Sequence, residues 1–157
     1  MATAEATPVM TAPPAVHVGA DELPFVDIGG GNKLKVLQVK SGEGLWIVEN
    51  VFQKGYEVQT HKHTGPVWGY TVSGAWCYKE NDYVNRAGSF LYEPAGSIHT
   101  LMAVEDDTQV WFHMYGSNLN LDADGNVESV ANGEVTLQAY YALCEAQGFG
   151  RPNVLVE

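Results

Sequence analysis

His61 and His63 stand two residues apart in Tyr56–His63, a segment whose β-branched and aromatic residues read as a strand. Residues i and i+2 of a strand face the same side, roughly 6–7 Å apart along the backbone. Two imidazoles on one face can reach a single ion at about 2.0–2.2 Å from each nitrogen. A third ligand has to come from a neighbouring strand. His99 is the candidate, because it follows a Pro94-Ala95-Gly96 turn able to aim it back into the fold. The chemistry these residues point to is the capture of one divalent metal ion by three neutral imidazoles. A His-x-His pair by itself is a weak signal, so the elements around it carry the argument.

Short segments rich in β-branched and aromatic residues fill most of the chain: 23–28, 33–39, 45–52, 56–63, 67–79, 83–86, 89–93, 100–104 and 108–115. Turn signals separate them, among them Gly29-Gly30-Gly31-Asn32, Ser41-Gly42-Glu43-Gly44 and Glu80-Asn81-Asp82. Short strands at even spacing with glycine-rich turns predict an all-β sandwich or barrel. Residues 136–147 differ. Leu137, Tyr140, Tyr141 and Cys144 fall at i, i+3, i+4 and i+7, one face of a short C-terminal helix, with Gly148 placed as its terminating glycine.

The 157 residues fit one domain, expected over 21–157, preceded by a flexible N-terminal arm over 1–20. The first fifteen residues are rich in Ala, Thr and Pro and lack the basic start and apolar core of a secretory leader. Nineteen acidic residues against eight basic ones give a formal charge of −11. Such a surface repels phosphate backbones and anionic headgroups, so neither nucleic acid nor membrane is an expected partner. Cys77 and Cys144 form no CxxC pair; both read as buried apolar residues in a reduced, cytoplasmic protein.

Fixed spacing then joins the three histidines. Gly55, His61, His63 and Gly74 follow one pattern, and Gly88, Pro94, Gly96 and His99 a second. These resemble the two sequence motifs of the cupins, G-x5-H-x-H-x3-4-E-x6-G and G-x5-P-x-G-x2-H-x3-N. The resemblance implies a cupin jelly-roll barrel. Two positions depart from it: Val67 stands where the glutamate is usual, and Ala103 where the asparagine is. Within the cupins, three-histidine sites without that glutamate are similar to those of the acetylacetone-cleaving and 2,4'-dihydroxyacetophenone-cleaving dioxygenases. The stretches His61-Lys62-His63-Thr64-Gly65-Pro66-Val67-Trp68-Gly69-Tyr70 and Gly88–Leu101 resemble the second of these more closely. That family cleaves the bond beside an aryl ketone with non-haem iron(II) and dioxygen, giving an aromatic carboxylate and formate. The implied cofactor is Fe(II), with Zn, Ni and Mn as alternatives that three imidazoles also accept. The implied partners are a small aromatic or diketone substrate, dioxygen, and a second copy or three more in a homodimer or homotetramer.

Glu93 is the candidate catalytic residue. If it faces inward, it can take a proton from substrate or hold a ligand histidine, and Tyr92 then points outward. The alternative is a solvent-facing glutamate at a strand end. His113 lies in an apolar strand and reads as a core residue, with a place in the metal cavity behind the ligand histidines as the alternative; His17 carries no role. Trp68, Trp76, Tyr70, Tyr78 and Trp111 read as core or interface residues, one or two of them lining a pocket. Asp122-Ala123-Asp124-Gly125-Asn126 lacks the full ligand set of a calcium loop and reads as a turn.

Three functions fit. The first is an iron-dependent carbon–carbon bond-cleaving dioxygenase. The second is a non-catalytic zinc-binding cupin sensor of the anti-sigma-factor type. The third is a metal-dependent sugar isomerase, whose sites usually hold a carboxylate ligand and a more polar pocket. The aromatic content suits the first.

Overall fold

A computed structural model describes residues 12–157; of the expected N-terminal arm, residues 1–11 lie outside the described residues. Fourteen strands and one α-helix follow in order: β1 (Val26–Gly29), β2 (Asn32–Lys40), β3 (Leu45–Phe52), β4 (His61–His63), β5 (Val67–Ser73), β6 (Ala75–Tyr78), β7 (Asn85–Arg86), β8 (Phe90–Glu93), β9 (Ile98–His99), β10 (Leu101–Ala103), β11 (Thr108–Tyr115), β12 (Asn118–Leu121), β13 (Val127–Ala131), α1 (Gly133–Ala146) and β14 (Leu155–Val156).

The largest sheet runs β1-β2-β3-β11-β5-β8, with β14 added parallel to β2. Two smaller sheets, β10-β6-β7 and β13-β12-β4-β9, complete the barrel. The core lies between them. Val110, Phe112 and Val67 from the large sheet share it with Trp76, Tyr78, Leu101 and Ala103 from a small one. Alternation along β11 produces this: Val110, Phe112 and Met114 are buried, while the residues between them face out. An all-β jelly roll with a short C-terminal helix is what the sequence predicts.

The expected single strand over 67–79 is two strands, broken at Gly74. There φ is +71°, and a Cβ would come within 2.7 Å of the Thr108 Cα. Only glycine fits that close approach, and the chain passes there from the large sheet to a small one. The expected strand over 56–63 is regular only at its end, in β4. The β12–β13 hairpin and β14 lie outside the segments that the sequence marks as strands. The hairpin turn is the Asp122–Asn126 segment, whose Asp122 carboxylate accepts backbone N–H groups from Asp124 and Asn126; these bonds hold that carboxyl below its usual range.

Helix α1 begins three residues earlier than expected. Asn132 is its cap, its side-chain oxygen accepting from the Val135 N–H at 2.9 Å. Leu137, Tyr140, Tyr141 and Cys144 are its buried face. The Tyr140 hydroxyl donates to the Pro24 carbonyl at 2.6 Å, tying the helix to the segment before β1. Among the described residues, no helix is long and apolar enough to cross a membrane.

Candidate metal centre and cavity

β4 and β9 are antiparallel neighbours, with His61 paired to His99 and Lys62 to Ile98. His61 and His99 therefore sit directly opposite each other, and His63 lies two residues along on the same face. Lys62 between them is exposed, as strand alternation requires. The Pro94–Ser97 turn is bonded to the backbone of His63. The Gly96 N–H donates to the His63 carbonyl at 2.7 Å, and the His63 N–H donates to the Ser97 carbonyl at 3.0 Å. On its other side β4 pairs with β12, His61 against Asn120 and His63 against Asn118.

The result is a buried cluster. The His61 and His63 Nε2 atoms are 3.2 Å apart, and those of His63 and His99 2.9 Å. Ligands at right angles around one ion, with bonds of about 2.1 Å, stand about 3 Å apart. The donor set thus fits a first-row divalent ion. The His61 Nδ1–H donates to the Gln59 carbonyl at 2.7 Å, which orients the ring and leaves the Nε2 lone pair facing the cluster. Tyr78 stacks on His99 with centroids 3.7 Å apart and planes within 14°.

Burial lowers the pKa of His61 to about 4, against a smaller raising effect of the Gln59 carbonyl. Burial, with the adjacent His61 and His63, lowers that of His99 to about 3. Both rings are accordingly neutral near pH 7, the form that binds a metal.

Glu93 faces inward and is 4% exposed, while Tyr92 beside it points to solvent. The Glu93 Oε2 lies 2.9 Å from the His63 Nε2 and 3.6 Å from the His99 Nε2. The nearer contact lacks hydrogen-bond geometry, and both Glu93 oxygens are buried without a hydrogen-bond partner, as is the His63 Nδ1. A buried carboxyl held against the ring nitrogens of His63 and His99 is unfavourable unless a proton or cation lies between them. That orphaned carboxyl is the second observation that suits a bound cation.

A cavity of about 320 Å³ opens onto this cluster, at the small end of ligand pockets. Phe52, Tyr56, Val67, Leu101, Phe112 and Met114 contribute its walls, and no Lys or Arg is among its lining residues. Two expectations change. His113 is no core residue: it lies outward on β11 against Trp68 and Tyr115, because the parity that buries Phe112 and Met114 turns it away. Cys77 is only partly buried, while Cys144 is buried as expected. Of the five large aromatics, Trp76 is core and Tyr78 lines the cavity, a placement that strand parity alone does not reveal. Trp68, Tyr70 and Trp111 lie on the outer face.

A mostly antiparallel β-barrel with three histidines converging from β4 and β9 defines a cupin. The chain belongs to the ChrR cupin-like domain family, whose model matches residues 13–118. Among solved structures it is similar to an RmlC-like cupin protein from Ralstonia eutropha JMP134, at 29% identity, covering 92% of this chain and 95% of that one, with a TM-score of 0.83. It is also similar in fold to an acetylacetone dioxygenase from Acinetobacter johnsonii, at 18% identity, 90% and 99% coverage and a TM-score of 0.72. A third likeness in fold is to the anti-sigma factor ChrR of Rhodobacter sphaeroides in complex with SigE. It has 18% identity and a TM-score of 0.51, over 61% of this chain and 51% of that one. Comparison with curated proteins finds no match.

Proposed function

We propose that this cupin is a non-haem iron(II) dioxygenase that cleaves a carbon–carbon bond in a small hydroxyketone or β-diketone. One observation carries the reading: three imidazoles and the unpartnered Glu93 carboxyl converge beside an apolar cavity that has no Lys or Arg. Such a cavity has nothing to neutralise a phosphate or a free carboxylate, and it offers few polar groups to a sugar. It suits a small, flat, uncharged molecule. The fold shared with an acetylacetone dioxygenase points the same way.

His61, His63 and His99 would hold the metal, and iron(II) there would supply one-electron chemistry toward dioxygen. Because these ligands are neutral, the site favours a substrate that becomes an anion on binding. Glu93 is placed to take the proton such a substrate loses, from an acidic C–H or O–H beside the carbonyl. Gln59 and Tyr78 hold the His61 and His99 rings in place. The aromatic and aliphatic walls exclude water and orient the carbonyl end toward the histidines. For an aryl hydroxyketone the overall change is balanced: ketone plus dioxygen gives an aromatic acid plus formic acid, both oxygen atoms ending in the products.

The test is oxygen uptake by protein loaded with iron(II) or with zinc, on a panel of aryl hydroxyketones and β-diketones. Uptake and acid release by the iron form alone are expected, since zinc has no accessible redox change. Equal turnover by the zinc form would replace the redox reading with isomerisation or hydrolysis. The second reading, a non-catalytic zinc cupin sensor, is favoured by the family model, which takes its description from ChrR. Absence of uptake on the whole panel, with zinc bound tightly, would put it first.

A further inference from the structure

A second cavity, of about 470 Å³, lies outside the barrel, between residues 16–25 and the outer face of β2, β3 and β11. It is larger than the cavity beside the histidines and shares no residue with it. Its size is that of a small-molecule site. Leu34 and Val48 line the inner cavity, and their strand neighbours Lys35 and Glu49 turn to this outer one, as alternation requires. Val18, Leu23, Phe25, Leu37, Ile47 and Trp111 give it apolar walls. Its polar floor is Lys35 and Glu49, paired directly across β2 and β3, with Gln109 beside them on β11. The Lys35 and Glu49 side chains are only 12% and 7% exposed, yet they stand 3.8 Å apart, too far for a hydrogen bond. The Lys35 ammonium has one long bond, to the Ala20 carbonyl at 3.5 Å, and lies over the Phe25 ring. The Glu49 Oε1 accepts from the Gln109 amide. Its Oε2 faces only the distant ammonium among the described residues.

We propose that this outer cavity binds a zwitterionic α-amino acid with an apolar side chain. A mostly buried ammonium with one long hydrogen bond and a buried carboxylate oxygen with none are both under-satisfied. A ligand carboxylate accepts the N–H groups that Lys35 leaves unused, and a ligand ammonium donates to the Glu49 Oε2. Each contact is a charge-assisted hydrogen bond in a water-poor site. Net charge selects the zwitterion. Lys35 and Glu49 cancel, so a ligand without net charge leaves no buried charge unmatched. An acid lacking the ammonium sets a second carboxylate beside Glu49, on a chain already at −11. An amine lacking the carboxylate sets two cations against one anion. A neutral apolar molecule satisfies neither group. An α-amino acid carries both ionic groups at one end, which leaves its side chain free to lie against Leu37, Ile47 and Trp111.

Titration calorimetry of the full chain tests this with L-phenylalanine and L-leucine as probes. Saturable binding of at least one is expected. 3-Phenylpropionate, which lacks the ammonium, and phenethylamine, which lacks the carboxylate, should each bind at least about 10-fold more weakly than L-phenylalanine, the loss of one hydrogen bond between charged groups. Lys35→Met and Glu49→Gln, each folded by circular dichroism, should lower amino-acid affinity by a similar factor. The comparison of probes on the unaltered chain decides the question even where a variant fails to fold. His61→Ala should bind the amino acid as the unaltered chain does. Binding lost in His61→Ala would place the ligand on a metal held by the histidines and overturn the proposal. No binding of either amino acid at millimolar concentration would overturn it, and so would 3-phenylpropionate or phenethylamine binding as tightly as L-phenylalanine.

Discussion

Glu93 on β8 lies directly across the sheet from Val67 on β5. Val67 holds the place where the first cupin motif has its glutamate. The carboxyl missing from that strand reaches the same cavity from the neighbouring one, beside His63 rather than four residues after it.

That exchange separates two roles for Glu93. Glu93→Gln keeps the shape and removes the proton acceptor. Turnover should fall by about 10²–10⁴-fold with metal content unchanged, measured by oxygen uptake beside elemental analysis. Loss of metal together with activity would make Glu93 a ligand instead.

The histidines are tested one at a time. His61→Ala, His63→Ala and His99→Ala should each lower metal affinity by at least about 10-fold, read by elemental analysis after dialysis. His113→Ala should keep full occupancy, because His113 faces the other side of the sheet. Full metal in any of the first three would remove that residue from the ligand set.

Acid should destabilise the metal-free protein in a defined window. In the unfolded chain His61 and His99 take up protons near the ordinary pKa of about 6.5. In the fold they resist until about 4 and about 3. Between those limits the unfolded state binds more protons, so the contribution is complete above pH 6.5 and is lost as pH falls toward 3. Melting curves should show Tm dropping by about 5 °C or more between pH 7 and pH 4.5. His61→Gln should flatten part of that slope. An identical slope in the variant would exclude the histidine cluster as its source.

Gly74→Ala should be severe although it touches no site residue. The added methyl meets Thr108 at a backbone angle that L-residues avoid, at a cost of about 3 kcal/mol or more. A fall of about 10 °C in Tm is expected. A change under about 2 °C would mean that the crossing between sheets relaxes freely.

Much of this was legible locally. The His61–His63 spacing needs only the two-residue period of a strand, and the buried face of α1 needs only the helical period. Glycine and proline spacings mark turns whose geometry is short-range, which is why His99 could be joined to the pair. What the tertiary structure decided depends on pairing between distant strands. Parity told that either Glu93 or Tyr92 faces in, but not which, because a one-residue slip of register exchanges them. The outward turn of His113 follows from the burial of Phe112 and Met114, visible only once β11 is placed between β3 and β5. The β12–β13 hairpin was missed because NLNL and VESVA carry little β signal of their own. They are strands because β4, with His61 and His63 on it, offers an edge to pair with.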